Sequence, residues 1–141
     1  MKIGIACDHA GFTHKENLKN YLKEKGTEVN DFGCYTEESV DYPDFAYKMV
    51  EEIIEETVPK GILICGTGIG MSIAANRSSS IRAALCTSEY MAERARMHND
   101  SNILVLGSKL VPDDLSLKMV EKFLETKFEG GRHTRRLAKI N

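Results

Sequence analysis

Short strand-like runs, most of them apolar, recur along the chain at residues 2–6, 28–32, 62–65, 81–86 and 102–106, with amphipathic stretches between them. Strands separated by helices cannot close as hairpins, so this alternation predicts a parallel sheet with helices packed on it. Residues 12–25 carry Phe12, Leu18, Tyr21 and Leu22 at helical spacing and stop at Gly26. A second helix opens at Asp41-Tyr42-Pro43-Asp44, with Pro43 suited to a first turn, and aligns Phe45, Met49, Val50, Ile53 and Ile54. Ser88 is placed as the N-cap of a helix over 89–97. Pro112-Asp113-Asp114 starts a helix running to Phe128, and Gly130-Gly131 separates it from a basic tail. The expectation is one α/β domain over residues 1–141, a Rossmann-like three-layer sandwich. Its five-stranded parallel sheet has order 2-1-3-4-5, with a C-terminal helical tail. A chain of 141 residues suffices for one such core.

Open sheets of this kind bind ligands beyond the C-terminal ends of their strands, where strand order reverses. In the expected order that point lies between strands one and three, so Asp8-His9 and Cys65-Gly66 face one crevice. The run Gly61-Ile62-Leu63-Ile64 ends in Cys65, the glycine loop Gly66-Thr67-Gly68-Ile69-Gly70 follows, and a helical stretch over 71–76 comes next. Backbone N–H groups at such a junction attract anions and favour a thiolate. The loop is not a dinucleotide fingerprint, because Met71 stands where glycine or alanine is required, and no Gly-Lys-Ser/Thr follows to make a Walker loop. Two readings remain: a cradle for one phosphate or oxyanion, or a turn that only needs glycine dihedrals.

His98-Asn99-Asp100 reads as a polar loop before the fifth strand. Arg132, His133, Arg135 and Arg136 crowd the tail. By composition that is a solvated face; together with a glycine cradle it suits a phosphorylated small molecule. His14 is expected to be exposed and without a role. Cys7, Cys34 and Cys86 read as buried free thiols, since no two of the four cysteines form a C-x-x-C pair. No metal-ligand spacing is visible. A net charge of −2 argues against nucleic acid or an anionic membrane as partner. The first residues do not make a signal peptide, and the chain reads as cytoplasmic.

Taken together, Gly4-Ile5-Ala6-Cys7-Asp8-His9-Ala10-Gly11, Asp41-Tyr42-Pro43-Asp44, the segment Cys65-Gly66-Thr67-Gly68-Ile69-Gly70-Met71-Ser72-Ile73-Ala74-Ala75-Asn76, His98-Asn99-Asp100 and Gly130-Gly131-Arg132-His133 stand in the order seen in the ribose-5-phosphate isomerase B family. The chain resembles that family over essentially its whole length. The wider family also holds galactose-6-phosphate isomerase subunits and allose-6-phosphate isomerases. The resemblance implies that Cys65 is the base that takes the C2 proton of the open-chain sugar. Gly66, Gly68, Ile69 and Gly70 then lie in the loop that holds the enediolate. His98 becomes the acid that opens the furanose ring, and Thr67 an assisting hydroxyl. Asp8, His9 and Asn99 become substrate contacts, and Arg132 and Arg136 phosphate ligands. Tyr42 lies in a matched motif without an assigned role. One branch of the family has Ser at the cysteine position and a Glu base after the last glycine; Cys65 and Met71 place this chain in the thiol branch. Lys109 stands where many members have Arg, keeping the charge but not the planar fork.

The implied reaction is aldose–ketose isomerisation of ribose 5-phosphate and ribulose 5-phosphate, within the non-oxidative branch of the pentose phosphate pathway. It moves a proton between C1 and C2 and needs no cofactor. The resemblance also implies a homodimer whose sites combine residues of both subunits; a tetramer stays open. Isomerisation of a six-carbon sugar phosphate is the nearest alternative. A phosphocysteine carrier would use Cys65 and the glycines but leave Asp8-His9, His98-Asn99, Arg132 and Arg136 without a task.

Overall fold

The computed structural model describes residues 1–140. The strands are β1 Lys2–Cys7, β2 Glu28–Asp31, β3 Gly61–Cys65, β4 Ala83–Leu85 and β5 Ile103–Gly107. The helices are α1 Phe12–Glu24, α2 Tyr42–Ile54, α3 Ile69–Ala75, α4 Glu89–Asn99, α5 Asp113–Glu125 and α6 Arg132–Ala138, with a 3₁₀ turn at His9–Gly11. Local chemistry sets several boundaries as expected. Pro43 sits in the first turn of α2, and the Ser88 hydroxyl accepts from the Met91 N–H at 3.2 Å to cap α4.

All strand pairs are parallel, but the order is β2-β1-β3-β5-β4, not the expected 2-1-3-4-5. Burial explains the exchange. Ile103-Leu104-Val105-Leu106-Gly107 is buried throughout, as an interior strand requires, whereas Ala83-Ala84-Leu85 is short and half-buried, as suits an edge. The free side of β4 meets a side chain: Asn76 accepts from the Ala83 N–H at 2.8 Å and donates to the Ala83 carbonyl at 2.9 Å.

Side chains alternate across the sheet. Ile3, Ile5, Ile62, Ile64, Leu104 and Leu106 join one core with Leu18 and Leu22 of α1 and Met119 and Phe123 of α5. Leu63, Ile103 and Val105 join a second with Met49 of α2 and Met71 and Ala75 of α3. Because α1 and α3 lie on opposite faces, the switch between β1 and β3 stands as expected.

Two polar side chains of α1 are buried, against expectation for His14. Its Nε2 lies 2.7 Å from the Ser116 hydroxyl and its Nδ1 2.7 Å from the Asp113 carboxylate, which ties α1 to α5. Burial holds its pKa below the ordinary histidine value, with Asp113 opposing. Lys15 is fully buried, and its ammonium donates to both carboxylate oxygens of Asp31 at 2.7 Å. Among the described residues, no helix is long and apolar enough to cross a membrane.

Candidate active site

The revised strand order puts β1, β3 and β5 side by side, so the loops after them meet. The Asp8 N–H donates to the Ile64 carbonyl at 3.1 Å, the Ser108 N–H to the Cys65 carbonyl at 2.9 Å, and the Lys109 N–H to the Gly66 carbonyl at 3.0 Å. The Ser108 hydroxyl donates to the Ala10 carbonyl at 2.8 Å. These bonds lace Asp8-His9, Cys65-Gly66 and Lys109 into one crevice rim. In the order 2-1-3-4-5, Lys109 would have stood a strand further off.

At the centre, Cys65 is 5% exposed, and its sulfur accepts from the Gly68 N–H at 3.1 Å. A directed donor of this kind stabilises a thiolate. The helix behind it, α3, has only 7 residues, so this local N–H matters more than a summed helix dipole. The turn strongly favours glycine at position 68. Its φ is +78°, and a Cβ there would meet Leu85 Cδ1 at 2.5 Å. Gly70 lets Tyr42 close in, since a Cβ would lie 2.5 Å from the Tyr42 ring. Tyr42 thus borders the glycine loop. The Thr67 hydroxyl accepts from the Ile69 N–H at 3.3 Å and is exposed at the rim.

Asp8 and His9 stand at this rim with part of their capacity engaged. The Asp8 carboxylate accepts from the N–H groups of Ala10 and Gly11 at 3.0 and 3.2 Å, and His9 Nδ1 accepts from the Val40 N–H at 3.1 Å. The latter bond fixes the tautomer with the proton on Nε2. The other three thiols are packing residues. Burial and the neighbouring Cys34 sulfur, 3.8 Å away, raise the Cys7 pKa, and burial pushes Cys86 up to about 12.

The remaining predicted residues are not in this crevice. His98 and Asn99 form the last turn of α4, not a loop, and α4 runs antiparallel to the strands. Its end lies at the N-terminal edge of the sheet: the Asn99 carbonyl accepts from Arg82 Nε at 2.8 Å, just ahead of β4. Helix α6, with exposed Arg132 and Arg136 one turn apart, packs beside α4. From Gly61 to Cys65 strand β3 spans roughly 13 Å, so His98, Asn99, Arg132 and Arg136 stand at the opposite end of the protomer from Cys65. A depression of about 720 Å³ lined by Arg77, Arg82, Asn99 and Leu137 also lies at that far end. The predicted set is therefore split into two clusters, one at each edge of the sheet.

A contact within the second cluster has no sequence signal. The His98 and His133 rings stack with centroids 4.2 Å apart and planes at 12°. Glu129 lies 3.8 Å from both imidazoles. Only the docking of α6 onto α4 brings the three together.

A doubly wound α/β fold with a thiol and backbone donors at the switch point, and cations on a second exposed cluster, is the frame of an enzyme acting on a small anionic substrate. Comparison with known proteins narrows the class. Residues 3–140 match the family model described as Ribose/Galactose Isomerase. A putative sugar phosphate isomerase of Rickettsia bellii is 56% identical over 138 residues, covering 98% of this chain and 96% of the relative. The crystal structure of a ribose 5-phosphate isomerase from Thermotoga maritima superposes with a TM-score of 0.97 at 57% identity, covering 99% of this chain and 96% of that one. Ribose-5-phosphate isomerase B from Mycoplasma genitalium, solved with bound ribulose-5-phosphate, gives a TM-score of 0.93 at 44% identity, covering 99% and 93%. The chain belongs to the ribose/galactose isomerase family and is a sugar-phosphate isomerase.

Proposed function

We propose that this chain, as one domain over residues 1–141, interconverts ribose 5-phosphate and ribulose 5-phosphate in the cytoplasm, at a site assembled from two copies. The observation that carries the proposal is the Gly68 N–H directed at the Cys65 sulfur, inside a crevice rimmed by Asp8, His9, Tyr42 and Lys109. Cys65, as thiolate, takes the C2 proton of the open-chain aldose, and the electron pair moves onto the carbonyl oxygen to give the enediolate. The O2 hydroxyl proton then passes to O1, and return of the abstracted proton to C1, with C2 becoming the carbonyl, completes the ketose. The carbon acid is weak, so the base succeeds only where the developing oxyanion is stabilised. The backbone of Gly66, Gly68, Ile69 and Gly70 forms the loop that supplies donors for this, with the Gly68 and Ile69 N–H groups shared with Cys65 and Thr67; one such donor is worth about 3–4 kcal/mol. Thr67 assists with its hydroxyl. Proton transfer and charge stabilisation both stay within the chain, and no cofactor enters the balance.

Ring opening and the phosphate grip fall to the second cluster. His98 protonates the furanose ring oxygen as the anomeric hydroxyl loses its proton. Arg132 and Arg136 hold the phosphate, and Asn99 contacts the sugar. Within one protomer these groups are a sheet's length from Cys65. A symmetric homodimer would bring the α4–α6 edge of one copy over the crevice of the other. Lys109 adds charge at the rim.

Turnover of ribose 5-phosphate, allose 6-phosphate and galactose 6-phosphate, by wild type and by Cys65→Ala, tests this reading. The expected result is a preference for ribose 5-phosphate and a roughly 10²- to 10⁴-fold loss in the variant, the range for a general base. Near-normal turnover by Cys65→Ala would remove the thiol from the chemistry, and a preference for a six-carbon substrate would overturn the assigned sugar.

A further inference from the structure

We propose that His98, Glu129 and His133 form a binding site for a divalent metal ion of the zinc class, and that metal there withdraws His98 from the sugar site. The second half of this rests on the function proposed above; the first half does not. One ligand atom from each of the three side chains lies within 4.8 Å of the other two. His133 is 6% exposed, and its Nε2 is fully enclosed with no hydrogen-bond partner. A buried imidazole nitrogen without a partner costs free energy, and this one faces the Glu129 carboxylate at 3.8 Å and the stacked ring of His98. A positive centre placed between these groups would satisfy it.

The donor set selects the metal. Two imidazoles with one carboxylate suit zinc, cobalt, nickel or copper, and not magnesium or calcium, which prefer all-oxygen surroundings. Bonds of about 2.0–2.2 Å put tetrahedral ligand atoms about 3.3 Å apart, so the cluster must contract by roughly 1 Å and the stacked rings must splay. The side chains that must move are free to do so: His98 is 34% and Glu129 44% exposed, while His133 is the fixed point. Arg132 and Arg136 stand close enough to repel a cation. The site therefore fits an ion that arrives and inhibits, not a resident cofactor. Three protein ligands leave a fourth position for water.

The test is zinc titration of the purified chain in competition with a chromophoric chelator, with cobalt absorption as the report of a tetrahedral field. Wild type, Glu129→Gln, His133→Ala and Cys65→Ala are compared. Glu129→Gln changes a half-exposed side chain outside any helix and keeps the fold intact even if His133→Ala loosens α6. The expected result is one ion per chain. Affinity should fall at least about tenfold in Glu129→Gln, a loss typical even of residues that only support a metal ligand, fall further in His133→Ala, and be unchanged in Cys65→Ala. No binding, or binding indifferent to both Glu129→Gln and His133→Ala, overturns the site. In parallel, zinc should slow ribose 5-phosphate turnover by wild type and spare Glu129→Gln. Undiminished turnover with metal bound at the site overturns the withdrawal of His98. A chain that never turns over ribose 5-phosphate sinks the proposed function instead, while the binding titration still decides the metal site.

Discussion

Mixed dimers test the division of the site directly. One parent carries Cys65→Ala and keeps its α6 cations; the other carries Arg132→Ala with Arg136→Ala and keeps its thiol. Both arginines are exposed on α6, so their removal leaves the cores untouched. Each charge-assisted contact is worth about 1.5–3 kcal/mol, so losing two lowers kcat/KM by roughly 10²- to 10⁴-fold. Each parent homodimer is then nearly inactive. Co-expression with two different affinity tags isolates the hybrid. If Cys65 of one copy works with the arginines of the other, the hybrid has one site with every defect and one with none. It recovers about half of the wild-type turnover per dimer. The reciprocal hybrid pairs a wild-type chain with a chain bearing all three changes. Each shared site then has a defect, and turnover stays near the parents' level. A first hybrid as inactive as its parents, together with a half-active reciprocal hybrid, would show that each chain completes its own site. That result would refute the placement of His98 and α6 at the partner's crevice.

Two further outcomes follow from the packing. Gly68→Ala forces a side chain into a left-handed turn and against Leu85, and should cost about 1–3 kcal/mol from the backbone alone, read as a lowered Tm, with a sharp loss of turnover as the N–H leaves the Cys65 sulfur. Asp31→Asn strands the buried Lys15 ammonium and should cost about 3 kcal/mol in denaturant unfolding, the low end for breaking a buried pair because Asp31 is itself partly exposed. The pH profile carries the same signature. Burial alone would raise the Asp31 carboxyl, but hydrogen bonds from Lys15, Lys19 and the Gly33 N–H outweigh it and hold the pKa below the ordinary carboxylate value. The stabilisation is complete above the unfolded pKa of about 3.9 and is lost as pH falls below it through the folded value; Asp31→Asn should flatten that acid limb, and an unchanged limb would assign the acid loss elsewhere.

The readable parts of the sequence were those in which local chemistry and final structure agree. Ser88, Pro43 and Gly68 announce their roles because capping and positive φ are decided within a few residues. The switch between β1 and β3 was legible because it depends only on the first strands and helices. Strand order at the far side was not: β4 and β5 differ in burial, and a run of apolar residues does not state which neighbour it will pair with. His14 looked like an exposed helical histidine because its partners, Asp113 and Ser116, lie about a hundred residues away. The candidate residues could be named from the sequence, but their arrangement could not. His98-Asn99 proved to be the end of a helix, and the direction of α4 puts it opposite Cys65. Glu129 and His133 acquire meaning only when α6 folds back on α4.

The Asn76 side chain limits how copies of this chain can join. By filling both the donor and the acceptor of Ala83, it acts as a one-residue substitute for a sixth strand. The opposite edge, β2, ends in Asp31, whose carboxylate is held by Lys15 and Lys19 and whose carbonyl is taken by the Tyr35 hydroxyl at 3.0 Å. Both rims of the sheet thus have part of their outer backbone taken by side chains, which opposes pairing with a strand from another molecule. Growth into a continuous intermolecular sheet, the route to fibres, is thereby disfavoured at each end. Association through helix faces and loops, where side-chain shape selects the partner, is favoured instead.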